Sequence, residues 1–153
     1  MATWTARLAE LGIELPAVAA PVAAYVPAIV DGGLVHTSGQ LPFVDGALPA
    51  VGHVGAEVDP AEAYALARTA TLNALAAVDA AAGLDRIARV VRVTGFVASA
   101  PGFHAQPGVV NGASELLGEI FGEAGAHARS AVGVAELPLN SPVEIELVVR
   151  LRD

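Results

Sequence analysis

The chain has 153 residues, of which 54% are hydrophobic, carries a net charge of −8 at pH 7, and contains neither cysteine nor lysine. Without cysteine there is no disulfide, thiolate nucleophile or zinc–thiolate site, and without lysine no Schiff base, pyridoxal-phosphate anchor or phosphate-loop lysine. The negative charge opposes a phosphate backbone and argues against nucleic-acid binding, which leaves arginine, carboxylate, hydroxyl, histidine and backbone groups to carry any chemistry.

This length suits one domain with a real core. The mean hydropathy of +0.57 is high for a soluble monomer. Either alanine inflates it, or the subunit hides an apolar face in an oligomer. The uncharged run over residues 15–30 is too short to span a bilayer and is broken by Pro16, Pro21 and Pro27. Arg7 is followed by Glu10 and Glu14 rather than by the apolar centre of a signal peptide. The expectation is a cytoplasmic protein with no membrane partner.

Trp4, Leu8 and Leu11 recur at helical spacing and predict a short helix over residues 2–12, followed by a proline-rich extended connector. Tyr25–Asp31 and Leu34–Ser38 read as two strands joined by the turn Asp31-Gly32-Gly33. Residues 41–58 are punctuated by glycine and proline and read as loop with one or two short strand pieces. Asp59 as N-cap, Pro60 in the first turn and Glu62 closing a capping box open a long helix that Gly83 stops after Ala82. Leu72, Leu75 and Val78 mark its buried stripe. Val90, Val91, Val93, Phe96 and Val97 build a strand over 88–98. After a loop holding Phe103, His104 and Pro107, a second helix covers Val109–Phe121.

In the last twenty-five residues, two apolar stretches, Ala131–Leu137 and Val143–Leu151, flank a loop from Pro138 to Pro142. The second stretch alternates: Val143, Ile145, Leu147, Val149 and Leu151 face one side, and Glu144, Glu146, Val148 and Arg150 the other. A loop with two prolines continues neither strand, so the two segments should run antiparallel. The order of two strands, helix, strand, helix and two strands predicts an α+β fold. It is a single domain over 1–153, a mixed β-sheet with two long helices packed on one face, with residues 1–20 as an N-terminal helix and connector.

Each candidate for chemistry has an ordinary reading beside it. Arg129 can clamp a carboxylate through two parallel hydrogen bonds, or can simply pair with one of sixteen acidic residues. Glu144 shares a strand face with Glu146, about 7 Å away by the strand rise, where carboxylates are ordinarily just solvated. Tyr25 reads equally as a packed strand-end aromatic, Ser38 and Gly39 as the end of a strand, and Asn111 as a helix N-cap. His36, His53, His104 and His127 are scattered without ligand spacing, so no metal is expected. No nucleophile-elbow or dinucleotide-binding glycine pattern follows a strand, and those classes fall away.

A strand opening with Arg129-Ser130, an Ala135-Glu136-Leu137-Pro138 turn, and a strand carrying Glu144-Ile145-Glu146 resemble the C-terminal signature of the RidA family (YjgF/YER057c/UK114). Tyr25-Val26 stands fourteen residues before the glycine of Thr37-Ser38-Gly39-Gln40, as in that family, and Asn111 matches its asparagine at the second helix. The family's cysteine two places after the arginine is Ala131 here, where main-chain contacts are implied. The resemblance implies a chorismate-mutase-like fold and a homotrimer that hydrolyses reactive 2-enamine or 2-imino acids to 2-keto acids and ammonia without a cofactor. It implies catalytic roles for Arg129 and Glu144, and substrate contacts from Tyr25, Ser38, Gly39, Asn111 and Ala131. Two features depart from it: a longer segment Phe103–Val109 and the N-terminal extension.

The antiparallel reading puts Arg129 and Glu144 at opposite ends of the sheet, about 23 Å apart by the strand rise. Acting together, they would have to meet across a subunit interface, which a trimer supplies three times. The alternative is a non-catalytic trimer that binds small carboxylate metabolites. A ribonuclease is disfavoured by the acidic charge and the lack of a histidine pair.

Overall fold

Residues 87–98, the strand β3 (Ile87–Ala98), are the axis on which the sheet is assembled. In the computed structural model, which describes residues 2–21 and 23–153, the preceding elements are α1 (Trp4–Glu10), β1 (Ala28–Asp31), β2 (Leu34–Thr37) and α2 (Pro60–Ala82). Following β3 are α3 (Gln106–Phe121), β4 (Ala128–Val134) and β5 (Val143–Leu151). The five strands lie in the order β1-β2-β5-β3-β4. Only the β3–β4 pair is parallel. The expected mixed sheet with two long helices on one face is what forms.

Alternation explains the layers. On β5, Val143, Ile145, Leu147 and Val149 are buried against the helices, while the residues between them face the side without helices. Leu75 of α2, which lies over β5, and Leu116, Leu117 and Ile120 of α3, which lies over β3 and β4, are fully buried and complete this layer. Each such side chain contributes about 1.5–3 kcal/mol of burial. Alanines dominate the buried side of α2, joined by Leu66, Leu75 and Val78, whereas Leu72 is only partly buried. The helices can then approach closely: a Cβ on Gly112 would lie 2.1 Å from the Tyr64 carbonyl oxygen.

The N-terminal helix docks firmly. Thr3 caps it by accepting from the Ala6 amide. The Trp4 indole N–H donates to the Ile87 carbonyl at 2.7 Å, and its ring meets Phe121 edge-on with centroids 4.9 Å apart. The Arg152 guanidinium sits 5.6 Å over the same ring. Asp85 accepts from the Thr5 amide and hydroxyl.

Four local expectations change. Tyr25 lies in a bend before β1, because Pro27 has no N–H for a ladder and the strand starts only at Ala28. Asp59 has the extended backbone of an N-cap but makes no side-chain cap bond, so the capping box does not close. The helix α3 begins at Gln106, with Pro107 in its first turn where a missing N–H costs nothing, so residues 106–108 are helix and not loop. Asn111 therefore sits inside the helix, and the cap position is Ala105.

The largest correction concerns β4 and β5. They do run in opposite directions, but β3 lies between them. Arg129 pairs with Val93 and Glu144 with Phe96. Three residues of offset are about 10 Å along the strands, and two strand spacings about 10 Å across. The expected separation of about 23 Å at opposite ends of the sheet is not found.

No helix among the described residues is long and apolar enough to cross a membrane.

Candidate active site

Glu144 is placed by a short stretch of pairing beyond the end of β2. The Gln40 amide donates to the Ile145 carbonyl at 2.8 Å, and the Ile145 amide returns a bond to Gln40 at 3.0 Å. This lays Gly39 directly over the glutamate. A Cβ at Gly39 would stand 2.7 Å from the Glu144 carboxyl carbon, so the carboxylate occupies the space that any other residue would fill. The Ser38 hydroxyl donates to the Val26 carbonyl at 2.6 Å, and the Ser38 amide to Pro27 at 2.8 Å. Ser38 thus pins the bend that carries Tyr25. Tyr25, Ser38, Gly39, Gln40, Pro138 and Glu144 line one open cleft of about 440 Å³. Partial burial, and then repulsion from Glu146 two residues on, push the Glu144 carboxyl above the ordinary carboxylate range.

Asn73 holds the Leu41–Phe43 segment that lines this cleft. It is a buried amide in the middle of α2, and its Nδ2 donates to the Leu41 carbonyl at 3.0 Å and the Phe43 carbonyl at 3.1 Å. Sequence reasoning missed it. The available signal was a lone amide in the alanine and leucine run of a long helix.

Arg129 belongs to a second cluster. Its Nη1 donates to Asn111 Oδ1 at 2.8 Å and to the Ser114 hydroxyl oxygen at 3.2 Å. The His127 Nδ1 lies 2.6 Å from the Gly125 carbonyl, which only an N–H can face. In the neutral ring this leaves Nε2 to accept from the Ser114 hydroxyl at 2.8 Å. Among the described residues no salt bridge reaches Arg129. In a chain of net charge −8, a half-buried guanidinium held by an amide and a hydroxyl, with no carboxylate beside it, is suited to an incoming anion. Ser114 and His127 were not legible as partners, because one lies on a helix and the other in the loop before β4.

The residues singled out from sequence therefore fall into two groups. Tyr25, Ser38, Gly39 and Glu144 meet in one cleft, while Asn111 meets Arg129. Ala131 is two residues beyond Arg129 on the same face of β4 and packs against the core. The two groups lie on opposite faces of the sheet. Arg129 pairs with the buried Val93 on the helix side, and Glu144 pairs with Phe96 on the other side. One copy of the chain does not bring them onto one substrate.

His53 is occupied elsewhere. Its ring lies 2.7 Å from the Ala135 carbonyl and 3.3 Å from Glu136, contacts that raise its pKa, with the carbonyl bond the larger cause. Among the described residues no three histidine, aspartate or glutamate side chains are grouped to hold a metal ion.

The family model described as "YjgF/chorismate_mutase-like, putative endoribonuclease" matches residues 5–151. Protein TCP17 of Trypanosoma cruzi is 45% identical over 150 residues, 97% of this chain and 94% of its own length. A crystal structure from Shewanella oneidensis, which carries the same endoribonuclease description, superposes with a TM-score of 0.93 at 40% identity. It covers 98% of this chain and all of the other. Escherichia coli TdcF with bound serine superposes with a TM-score of 0.60 at 29% identity, covering 90% of this chain and 94% of that one. The first two matches reach into the N-terminal extension.

Proposed function

The chain belongs to the YjgF/chorismate-mutase-like family, the RidA family of the signature above, and on that premise we propose that it hydrolyses reactive 2-enamine and 2-imino acids to 2-keto acids and ammonia. The site is shared between copies in a homotrimer: Arg129 of one subunit and Glu144 of the next.

The observation that carries this reading is the division of the site residues. One face of the sheet carries a guanidinium with an open demand for an anion. The other carries a half-buried carboxyl, shifted toward its neutral form, in a cleft with Tyr25. A 2-imino acid needs both, since it has a carboxylate handle and an electrophilic carbon joined to nitrogen. The serine named for TdcF carries the same α-carboxylate and α-nitrogen.

In the proposed reaction, Arg129 binds the carboxylate, with Asn111 and Ser114 fixing the plane of the guanidinium. A water attacks the imine carbon, forming the C–O bond while the C=N π pair moves to nitrogen. Glu144 in its neutral form supplies the proton that nitrogen takes up, and its carboxylate then receives a proton from the added water. Glu144 then gives that proton to the amino nitrogen and takes the hydroxyl proton as the C=O bond forms and the C–N bond breaks, and ammonia departs. Neither a metal nor a covalent intermediate enters. Positioning and acid–base help supply the acceleration.

The test is ammonia release from imines generated freshly from several amino acids, with wild type and Glu144→Gln side by side. Turnover in wild type, its loss by about 10²–10⁴-fold in the variant, and unchanged 2-keto acid binding support the enzyme. If wild type binds keto acids without releasing ammonia, the protein is the non-catalytic binder instead.

A further inference from the structure

We propose that the substrate of this site carries an apolar side chain, and that the proline-rich connector between α1 and β1 sets that preference. The proposal rests on the deaminase reading for its substrate and adds the class of side chain.

Carbon walls much of the Glu144 cleft. Ala19, Ala20, Pro21 and Ala23 of the connector form one side, and Leu41 and Phe43 form another. Among the described residues, Glu144 and Tyr25 are the only titratable ones lining it. A second cleft, of about 660 Å³, adjoins the first and shares Ala19, Ala20 and Phe43 with it.

The connector's end is tied to Ser38 through the Val26 and Pro27 carbonyls, and its middle is held without polar contacts. Among the described residues, 16–21 make no hydrogen bond. Pro16 and Pro21 stiffen the run, Leu15 packs on the core, and α1 is anchored through Trp4. Phe43 on the opposite wall is held through its carbonyl by Asn73.

The substrate's three substituents then have separate places. The carboxylate goes to Arg129 of the adjoining copy, and the nitrogen lies beside Glu144. The side chain is left to turn toward the connector and Phe43. A charged side chain turned that way faces the carbon of the connector and Phe43, whereas an aliphatic or aromatic one packs against it. The raised proton affinity of Glu144 agrees with a cleft that water solvates poorly.

Two readouts test this independently. One is kcat/KM for imines generated from leucine, methionine and phenylalanine against those from alanine, serine and aspartate. The other is calorimetric binding of the matching 2-keto acids, which requires no turnover. The expected result is a preference of at least about tenfold for the apolar members in both. Ala19→Asp should cut that ratio about tenfold or more, and Ala19→Val should keep it. Ala20→Asp, at a more exposed position, serves if the first variant does not fold. Equal or better handling of the serine and aspartate members, or a ratio unmoved by a carboxylate in the connector, overturns the proposal. An apolar binding preference without any ammonia release supports the apolar wall and overturns the deaminase reading alone. Failure to bind any keto acid overturns both.

Discussion

Glu144 and Gly39 define the residue scale, because the carboxyl of one occupies the volume a side chain on the other would need. Gly39→Ala is expected to displace the carboxyl by enough to lower kcat/KM about 10²-fold while the protein still folds, as circular dichroism and steady-state kinetics would record together. The pH dependence follows from the raised pKa of Glu144. A carboxyl whose folded pKa lies above its unfolded value contributes stability below the unfolded pKa. That contribution is lost as pH rises through the folded value. At pH 7, Glu144→Gln should therefore melt at or above the wild-type temperature. The difference should shrink toward pH 4, where both side chains are neutral. A variant that is clearly less stable at pH 7 would contradict the assigned shift. On the other face of the sheet, His127 acts only through Ser114 on Arg129. His127→Phe is expected to raise KM about tenfold with kcat nearly unchanged, since it loosens a binding group and leaves Glu144 alone.

At the scale of elements, the signals that were legible are the local ones. The alternation of β5, the turn at Gly32-Gly33 and the stop at Gly83 each depend on residues close in sequence, and each is found where expected. What was not legible is non-local. Nothing within Arg129–Glu146 tells that β3 inserts between the two flanking strands, so the separation of Arg129 and Glu144 was misjudged while their membership of opposing strands was right. The early start of α3 was hidden because Pro107 and Gly108 look like loop residues, although proline is at home in a first helical turn. Buried polar partners were missed for the same reason: Asn73 and Ser114 matter through what the fold sets against them. The N-terminal helix belongs to the folded core, with Trp4 contacting Ile87, Phe121 and Arg152 at once. Trp4→Ala should cost about 3 kcal/mol, lowering the melting temperature by roughly 10 °C. It should also disturb the connector that walls the Glu144 cleft, so a thermal melt paired with the substrate panel would read both effects.

For the whole molecule, the proposed sharing of Arg129 and Glu144 between copies would make activity a property of the assembly. Arg129 faces the helices and Glu144 the opposite side of the sheet, so on this proposal a single copy would present two incomplete sites. The side without helices exposes Ile29 and Val132 beside polar residues, a mixed surface consistent with covering by other copies. The measurement that bears most directly on this is complementation between two inactive chains. Arg129→Met and Glu144→Gln, each inactive alone, would be co-expressed in equal amounts and the mixed trimers assayed for ammonia release from an imine. If each site takes its arginine from one copy and its glutamate from the next, random assembly restores about one quarter of wild-type activity. If both groups are drawn from the same copy, no mixture can rebuild a site, and ammonia release at background level would contradict the account.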